Sequence, residues 1–284
     1  NPPNFSFPNT ISSKFQPAIQ NSYSMSRINE CHPEPFIEKF DKLLSSYDDL
    51  VILLPVVLGK SLPKEMKKIG KFNIVGKAKV STTALETDFK MITDLGNGQV
   101  DLHMNHIDFI DKASYSGNVI LENFNIGAVL NRKDIGRTTL NVDVDGVGFT
   151  EKYLNTIVKG DIAKLDYNKY TYNNIVVNGN FKLPYYKGQV SINDPNLSLL
   201  FDGMVDLSKR ENRYDFHINV ENADLRKLKF ISDSISHFKG DAVVAVTGNS
   251  IENLQGTISI KEAVYQNPQD TYVFDDLTIN SQFD

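Results

Sequence analysis

The heptapeptide Tyr214-Asp-Phe-His-Ile-Asn-Val220 decides the fold class. Its apolar and polar side chains alternate, and in a β-strand successive side chains point to opposite faces of the sheet. The strand therefore has one apolar face and one solvated face. Similar alternation recurs along the chain after Lys71. The apolar positions of these alternating segments are Val100, Leu102, Met104, Leu140, Val142, Val144, Val190, Ile192, Tyr214, Phe216, Ile218, Val220, Val244, Val246, Ile258 and Ile260. These sixteen positions predict a mainly β fold whose long, antiparallel-rich sheet has one apolar face.

A second regularity places an apolar residue two positions before a glycine, as in Tyr115-Ser-Gly117 and Val158-Lys-Gly160. Among the seventeen glycines, ten that lie close to the alternating segments follow this pattern. A glycine within a strand marks a bend, a bulge or a close approach of two backbones. We therefore expect the sheet to curl at corresponding positions of successive strands, so that its apolar face lines an open groove.

The chain divides into three parts. Residues 1–34 are rich in Pro, Asn and Ser and predict an extended lead-in. Residues 35–70 predict a short helical segment, because Phe36, Phe40 and Leu43 share a helical spacing over about residues 35–47 and because residues 61–68 precede Gly70. Residues 71–284 form the predicted β-sheet groove, which we expect to continue beyond this sequence.

Two short helical insertions are expected between strands. They are Asn125-Ile-Gly-Ala-Val-Leu-Asn131 and Asn222-Ala-Asp-Leu-Arg-Lys-Leu228, and Asp224 is a candidate N-cap of the second. Each insertion would either cap the apolar groove or bridge two strands that lie far apart. The sequence leaves both interpretations open.

The composition excludes several classes of function. The formal charge is −5 and only six of the thirty cations are Arg, so no nucleic-acid partner is expected. The single cysteine, Cys31, cannot form an intrachain disulfide or a thiolate metal site. The longest apolar run, residues 50–58, contains Pro55 and is far shorter than the roughly 20 residues of a membrane-spanning helix. We expect a segment of a longer protein whose membrane anchor lies outside this sequence.

No catalytic, metal-binding or cofactor-binding residue is predicted. The nearest metal motif, Asn141-Val-Asp143-Val-Asp145-Gly146, departs from a calcium loop because its alternating valines indicate a strand. His103 and His106 would point to opposite faces of a strand, and His217 beside Asp215 is interpreted as a surface residue. Nucleophile, zinc and nucleotide-binding motifs are absent from the sequence. We therefore expect a protein that is not an enzyme.

Several short motifs follow one another in a fixed order between Gly70 and Phe230. They are Gly70-Lys-Phe-Asn-Ile-Val-Gly76, Phe89, Leu95-Gly96, Tyr115-Ser-Gly117, Phe124-Asn-Ile-Gly127, Gly136, Val144-Asp-Gly146-Val-Gly148, Tyr170-Thr-Tyr172, Asn193-Asp-Pro-Asn196, Phe201-Asp-Gly203-Met-Val-Asp206 and Asn222-Ala-Asp-Leu225. In this order they resemble the TamB branch of the AsmA-like family, in the form found in Bacteroidota. The resemblance covers more than half of the chain and consists of structural patterns rather than catalytic signatures.

The resemblance implies a long curled sheet, or β-taco, with an apolar concave face. It implies a Gram-negative periplasmic protein, anchored in the inner membrane, that supports outer-membrane lipid homeostasis, phospholipid transport and outer-membrane protein assembly. For this chain, it implies a phospholipid or another acyl lipid as the ligand of the sixteen apolar positions. It also implies an outer-membrane barrel protein as a candidate partner. About fourteen strands at roughly 4.8 Å would give a groove of about 65 Å, which is a piece of a periplasmic bridge.

Two alternatives to lipid binding remain. In the first, the apolar face packs on a second sheet to form a β-sandwich, and the protein is an assembly scaffold that recruits an envelope partner by strand addition. In the second, the protein is an enzyme that acts on envelope glycans. That alternative rests on scattered carboxylates and on five tyrosines, namely Tyr167, Tyr170, Tyr172, Tyr185 and Tyr186. It requires two carboxylates that face each other across a cleft.

Overall fold

The computed structural model describes residues 36–46, 64–81, 83–109, 111–149, 152–182, 184–207, 210–232 and 234–281. These residues form one antiparallel sheet of fourteen strands, in which every strand pairs with its neighbours in sequence order. The strands are β1 (Phe36–Ser46), β2 (Lys71–Val80), β3 (Ala84–Thr93), β4 (Gly96–Asn105), β5 (Ser114–Asn125), β6 (Ile135–Val147), β7 (Asn155–Tyr167), β8 (Tyr170–Lys182), β9 (Tyr185–Asp194), β10 (Leu197–Asp206), β11 (Arg213–Asp224), β12 (His237–Thr247), β13 (Gln255–Gln266) and β14 (Thr271–Ser281). The expected mainly β fold is confirmed.

Helical structure is confined to three short elements among the described residues. They are a 3₁₀ helix at Lys64–Ile69, the single helix α1 at Ile126–Leu130 and a 3₁₀ helix at Ile251–Asn253. The side chain of Asn125 caps α1 by accepting a hydrogen bond from the Ala128 amide at 3.1 Å. The predicted insertion at residues 125–131 is therefore a helix. The predicted short helix before Gly70 is found as the first 3₁₀ helix.

The cross-strand register aligns the apolar residues of thirteen strands in one row. From β2 to β14, this central apolar row consists of Gly76, Phe89, Val100, Val119, Val142, Gly160, Val177, Val190, Phe201, Ile218, Ala242, Ile260 and Leu277. The neighbouring row on the opposite face consists of Lys77, Asp88, Asp101, Asn118, Asp143, Lys159, Asn178, Gln189, Asp202, His217, Val243, Ser259 and Thr278. The sheet thus has an apolar face, which contains the first row, and a polar face, which contains the second.

Extra residues in several strands preserve this separation. Asn123, Asn174 and Glu262 adopt a left-handed backbone conformation with φ of 47°, 51° and 48°. Each lies in a strand where two buried or half-buried apolar side chains are three positions apart instead of two, as in Leu121 and Phe124. A β-bulge inserts one residue and so returns the following side chain to the same face. These bulges keep the strand ends in phase with the apolar face.

Three predictions about the chain path are wrong. Residues 36–46 form strand β1, paired with β2, rather than a helix over about 35–47, because cross-strand pairing overrides the helical spacing of Phe36 and Phe40. Residues 225–229 form a hydrogen-bonded turn after β11 rather than the predicted helix. The sheet is open and uncurled. The lead-in at residues 1–34 lies outside the described residues.

The in-strand glycines permit close approach between neighbouring strands. Gly117 of β5 has φ +144°, and a Cβ atom added there would overlap the carbonyl oxygen of Asp101 on β4. Gly160 of β7 has φ +148° and would overlap the carbonyl oxygen of Asn141 in the same way. Residues that carry a side chain rarely adopt this backbone conformation. The recurrent glycine therefore indicates backbone contact within the ladder, which is why it does not produce the expected curl.

We expect Gly117→Ala to lower the free energy of unfolding by about 2 kcal/mol or more, through backbone strain and overlap with β4. Gly98 on β4 is the matched control, because a Cβ there would lie 2.7 Å from the mobile end of the Met91 side chain and no positive φ is required. Gly98→Ala should change stability by less than about 1 kcal/mol. Urea unfolding followed by circular dichroism measures both, and equal effects would contradict this account of the glycines.

Candidate functional site

The register brings all sixteen predicted apolar positions onto the apolar face. Val142, Val220 and Val246 are buried, and the other thirteen are partly exposed. Their neighbours on the same strands are mostly exposed polar residues; on β11, for example, these are Asp215 and His217. The register therefore places the sixteen side chains on one face of the sheet, and their role as a lipid-binding groove stays a prediction.

Within the described part of the chain, no second layer covers most of the apolar face. Among the described residues there is only one sheet, and its strands contact their immediate neighbours in the sequence. A β-sandwich would place most of the inner side chains below a few per cent exposure. Here the sixteen side chains are mainly half-buried, so the described residues leave an open apolar surface rather than a closed core.

Aromatic rings follow the apolar face across β8–β11. The ring centroids of Phe181 and Tyr186 are 4.7 Å apart, those of Tyr186 and Phe201 are 5.9 Å apart, and those of Phe201 and Phe216 are 5.2 Å apart. The Tyr186 ring covers Gly179, where an added Cβ would lie 2.6 Å from it. Burial, together with the charge of Asp202, raises the pKa of the Tyr186 phenol to about 12, so the ring stays neutral at ordinary pH. The ladder therefore adds uncharged surface to the face.

The tyrosines considered for sugar binding are partly used in packing. Tyr172 is buried in the principal apolar cluster, and its ring meets that of Tyr170 edge-on at 4.8 Å. Tyr186 belongs to the ring ladder described above. Tyr167 lies 6.4 Å from Tyr172 and is more exposed than the other two. Tyr185 directly precedes Tyr186 on β9 and so projects from the opposite face of the sheet. The five side chains therefore do not form one flat, open platform.

The turn after β11 covers one part of the apolar face. Leu228 is fully buried, at 0% exposure, and packs in the cluster with Tyr172, Ile175, Leu197 and Val220. Asp224 caps the turn by accepting a hydrogen bond from the Lys227 amide at 3.0 Å. Although burial opposes it, this bond and the Lys227 charge hold the pKa of Asp224 below its ordinary value. The predicted capping role of Asp224 is therefore found, on a turn instead of a helix.

A buried carboxylate fixes the strand ends beside this cluster. Asp194, at 5% exposure, accepts hydrogen bonds from the Tyr170 hydroxyl, from the Asn173 amide at 3.0 Å and from the Asn196 amide at 2.9 Å. Its own burial would raise its pKa, but the bonds from Tyr170 and Asn173 outweigh this and hold the pKa below the ordinary value. Asp194 links the β9–β10 turn to β8. The sequence showed its turn motif but gave no sign of the cross-strand partners.

The polar residues singled out in the sequence lie apart from the apolar face. Asn141 and Asp143 project from the polar face of β6, where Asn118 donates a hydrogen bond to each side chain at 2.9 Å. His217 pairs with Asp241 on β12 at 2.6 Å, rather than with its sequence neighbour Asp215. No group of three or more potential metal ligands is found among the described residues.

A shallow depression of about 380 Å³ on the polar face was not predicted. It lies across β8–β11, where the exposed side chains of Val176 and Leu200 stand among polar neighbours. Asp202 is the only carboxylate in its lining, and it accepts a hydrogen bond from Gln189 at 3.0 Å. The depression does not present the facing pair of carboxylates that glycoside hydrolysis uses.

Comparisons with protein-family models, with curated proteins and with solved structures find no match for this chain. No helix in the described part of the chain is long and apolar enough to cross a bilayer. The apolar face is therefore the candidate site on the strength of its own geometry. The likeness to the TamB branch remains an expectation from sequence motifs.

We expect Leu228→Ala to lower the free energy of unfolding by about 3 kcal/mol, because it opens a cavity in a cluster that has no exposed surface at this position. Leu130 on α1 is the matched control, since its side chain is 54% exposed. Leu130→Ala should cost less than about 0.5 kcal/mol. Denaturant unfolding of both variants measures the difference. A small effect at Leu228 would mean that the turn does not pack on the sheet.

We expect Asp194→Asn to cost about 1–3 kcal/mol at pH 7, because an amide cannot accept all the hydrogen bonds that reach this carboxylate. The folded-state pKa of Asp194 is lowered, so its stabilisation is complete above the unfolded value of about 3.9 and is lost as the pH falls through the folded value. The variant should therefore lose less stability than the wild type between about pH 5 and pH 2. Asp88→Asn, on the exposed polar face, is the control, and unchanged acid sensitivity in Asp194→Asn would refute the assignment.

Proposed function

We propose that the apolar face binds the acyl chains of phospholipids or related lipids and serves as one segment of a longer lipid-conducting surface. The observation that carries the proposal is the central apolar row, which crosses thirteen consecutive strands and is half-buried at ten of them, with Val142 and Val177 buried and Leu277 exposed. A soluble protein rarely exposes a continuous apolar surface of this extent without a ligand or partner. Because the sheet is open, the lipid would lie on a face rather than inside a closed tunnel.

The energetics favour an acyl chain as the ligand. Each methylene moved from water to an apolar surface contributes about 0.8 kcal/mol when it is fully buried. Corresponding rows lie on both sides of the central apolar row, such as Leu102, Val144 and Val244 on one side and Leu140, Ile192 and Val220 on the other. Outer rows include Tyr115 and Val246 on the first side and Phe124 and Tyr172 on the second. The five rows at two-residue spacing extend about 27 Å along the strands. One leaflet of a bilayer core is about 15 Å thick, so the face can accommodate a membrane-lipid chain.

The sequence motifs that resemble the TamB branch support the same function. On that basis we propose a periplasmic location, an inner-membrane anchor outside this sequence and a role in outer-membrane lipid homeostasis and protein assembly. An outer-membrane barrel protein is the proposed receiving partner. The chemistry of this role is binding and transfer, without catalysis.

A glutamate on the apolar face tests the proposal, because it places a charge where acyl chains would lie. We expect Val244→Glu and Phe216→Glu to weaken the binding of a fluorescent phosphatidylcholine by at least about tenfold. Both side chains are partly exposed, so the charge can reach water in the free protein. Val243→Glu is the matched control, since Val243 precedes Val244 on β12 and projects from the polar face at 50% exposure.

Fluorescence titration measures the binding, and circular dichroism verifies that each variant keeps its β-sheet. Wild-type affinity in both face variants would contradict the proposal. Equal weakening by Val243→Glu and Val244→Glu would contradict it as well. Either result would favour the scaffold alternative, for which the exposed residues of β14 on both faces, Val273 and Phe274 among them, provide a surface for strand addition.

A further inference from the structure

The two long margins of the sheet, where the connections between strands lie, differ in charge. We define the basic margin as the residues that connect β3–β4, β5–β6, β7–β8, β9–β10, β11–β12 and β13–β14, together with the 3₁₀ helix that leads into β2. Its described cationic side chains are those of Lys67, Lys68, Arg132, Lys133, Lys169, Arg226, Lys227 and Lys229, and its described carboxylates are those of Asp94, Asp134 and Asp270. Lys227 also pairs with Asp224, at the end of β11, at 3.1 Å. Eight cations against three carboxylates contrast with the chain as a whole, whose formal charge is −5.

The opposite margin lacks this excess. Its described cations are Lys112, Lys152 and Arg210, and its carboxylates are Asp108, Asp111, Glu211 and Glu252. Both margins close the same strands, and both carry exposed apolar side chains, such as Phe230 on the basic margin and Phe109 on the other. Charge is therefore the property that distinguishes them.

Local contacts concentrate the cations of the basic margin. Lys68 donates a hydrogen bond to the side chain of Asn131 at 3.0 Å, which joins the first 3₁₀ helix to the end of α1 and places it beside Arg132 and Lys133. Arg132 is engaged by Asp134 at 2.6 Å, whereas the side chain of Lys133 is exposed. The 3₁₀ helix and the residues that follow α1 thus place several positive charges at the same end of the strands.

The other cations of this margin lie at two further connections. Lys169 and Lys229 both occupy left-handed turn positions, with φ of 66° and 68°, and both are exposed. Lys229 directly follows Leu228, which packs on the apolar face. The cationic residues therefore border the apolar face along its length, from the strands near α1 to the turn after β11.

We infer that the ligand of the apolar face is an anionic phospholipid whose phosphate lies at the basic margin while its chains extend along the strands. This inference rests on the proposed function and adds the class and orientation of the lipid. Lysine and arginine near an anionic headgroup favour it electrostatically, and the charged group stays at the water-exposed edge. A neutral or zwitterionic lipid would gain less from the same margin.

The experiment compares phosphatidylglycerol with phosphatidylcholine carrying the same fluorescent acyl chain. The test variant is the triple substitution Lys133→Glu, Lys169→Glu and Lys229→Glu. The matched control reverses the same number of charges on the opposite margin, as Lys112→Glu, Lys152→Glu and Arg210→Glu. All six side chains are exposed, so both variants should keep the fold, which thermal unfolding verifies.

We expect wild-type protein and the control variant to bind phosphatidylglycerol more tightly than phosphatidylcholine. The test variant should lose about tenfold in affinity for phosphatidylglycerol and stay within about twofold for phosphatidylcholine. Added salt should reduce the wild-type preference. Equal affinity of the wild type for the two lipids, or equal losses in the two triple variants, would overturn the inference. Failure of the wild type to bind either lipid would instead refute the proposed function, and this inference with it.

Discussion

The structure depends on one constraint, which is that the cross-strand register stays in phase over the thirteen strands β2–β14. Side chains in a strand alternate with a period of two, so a slip of one residue at any hairpin would move the following strand's apolar set to the polar face. The bulges at Asn123, Asn174 and Glu262 serve this constraint, because each absorbs one extra residue where the strand lengthens. The glycines serve it too, since Gly117 and Gly160 allow neighbouring backbones to approach where a side chain would separate them.

In-phase pairing over such a length has a physical consequence. An isolated sheet normally buries its apolar face against a helix layer or a second sheet. Here the turn that carries Leu228 covers only part of the face, near β8–β11, and α1 packs on β6 at the margin. The central part of the face remains half-buried among the described residues. In the proposed function, a lipid chain covers this surface, and it can do so without a precise match of shape.

The alternating segments of the chain could be predicted because each strand repeats one local rule. Tyr214–Val220 and its counterparts show which side chains share a face without any knowledge of pairing. The strand β1 was missed because Phe36, Phe40 and Leu43 also fit a helical spacing, and only the pairing with β2 decides between the two. The buried network at Asp194 and the hydrogen bond between His217 and Asp241 were missed because the residues they join across strands lie 21–26 positions apart in the sequence. The glycine pattern was recognised, but glycine alone does not distinguish a bend from a close approach.

The most direct test of the central claim is site-specific photocrosslinking in the presence of phospholipid. A photoreactive phenylalanine derivative would replace Val144, on the apolar face of β6, and in a second protein its neighbour Asp143, on the polar face. We expect lipid adducts, detected by mass spectrometry, at position 144 and none above background at position 143. Equal lipid labelling at the two positions would contradict the claim that the apolar face is a lipid-binding surface. Crosslinking of position 144 to another polypeptide, without any lipid adduct, would contradict it as well.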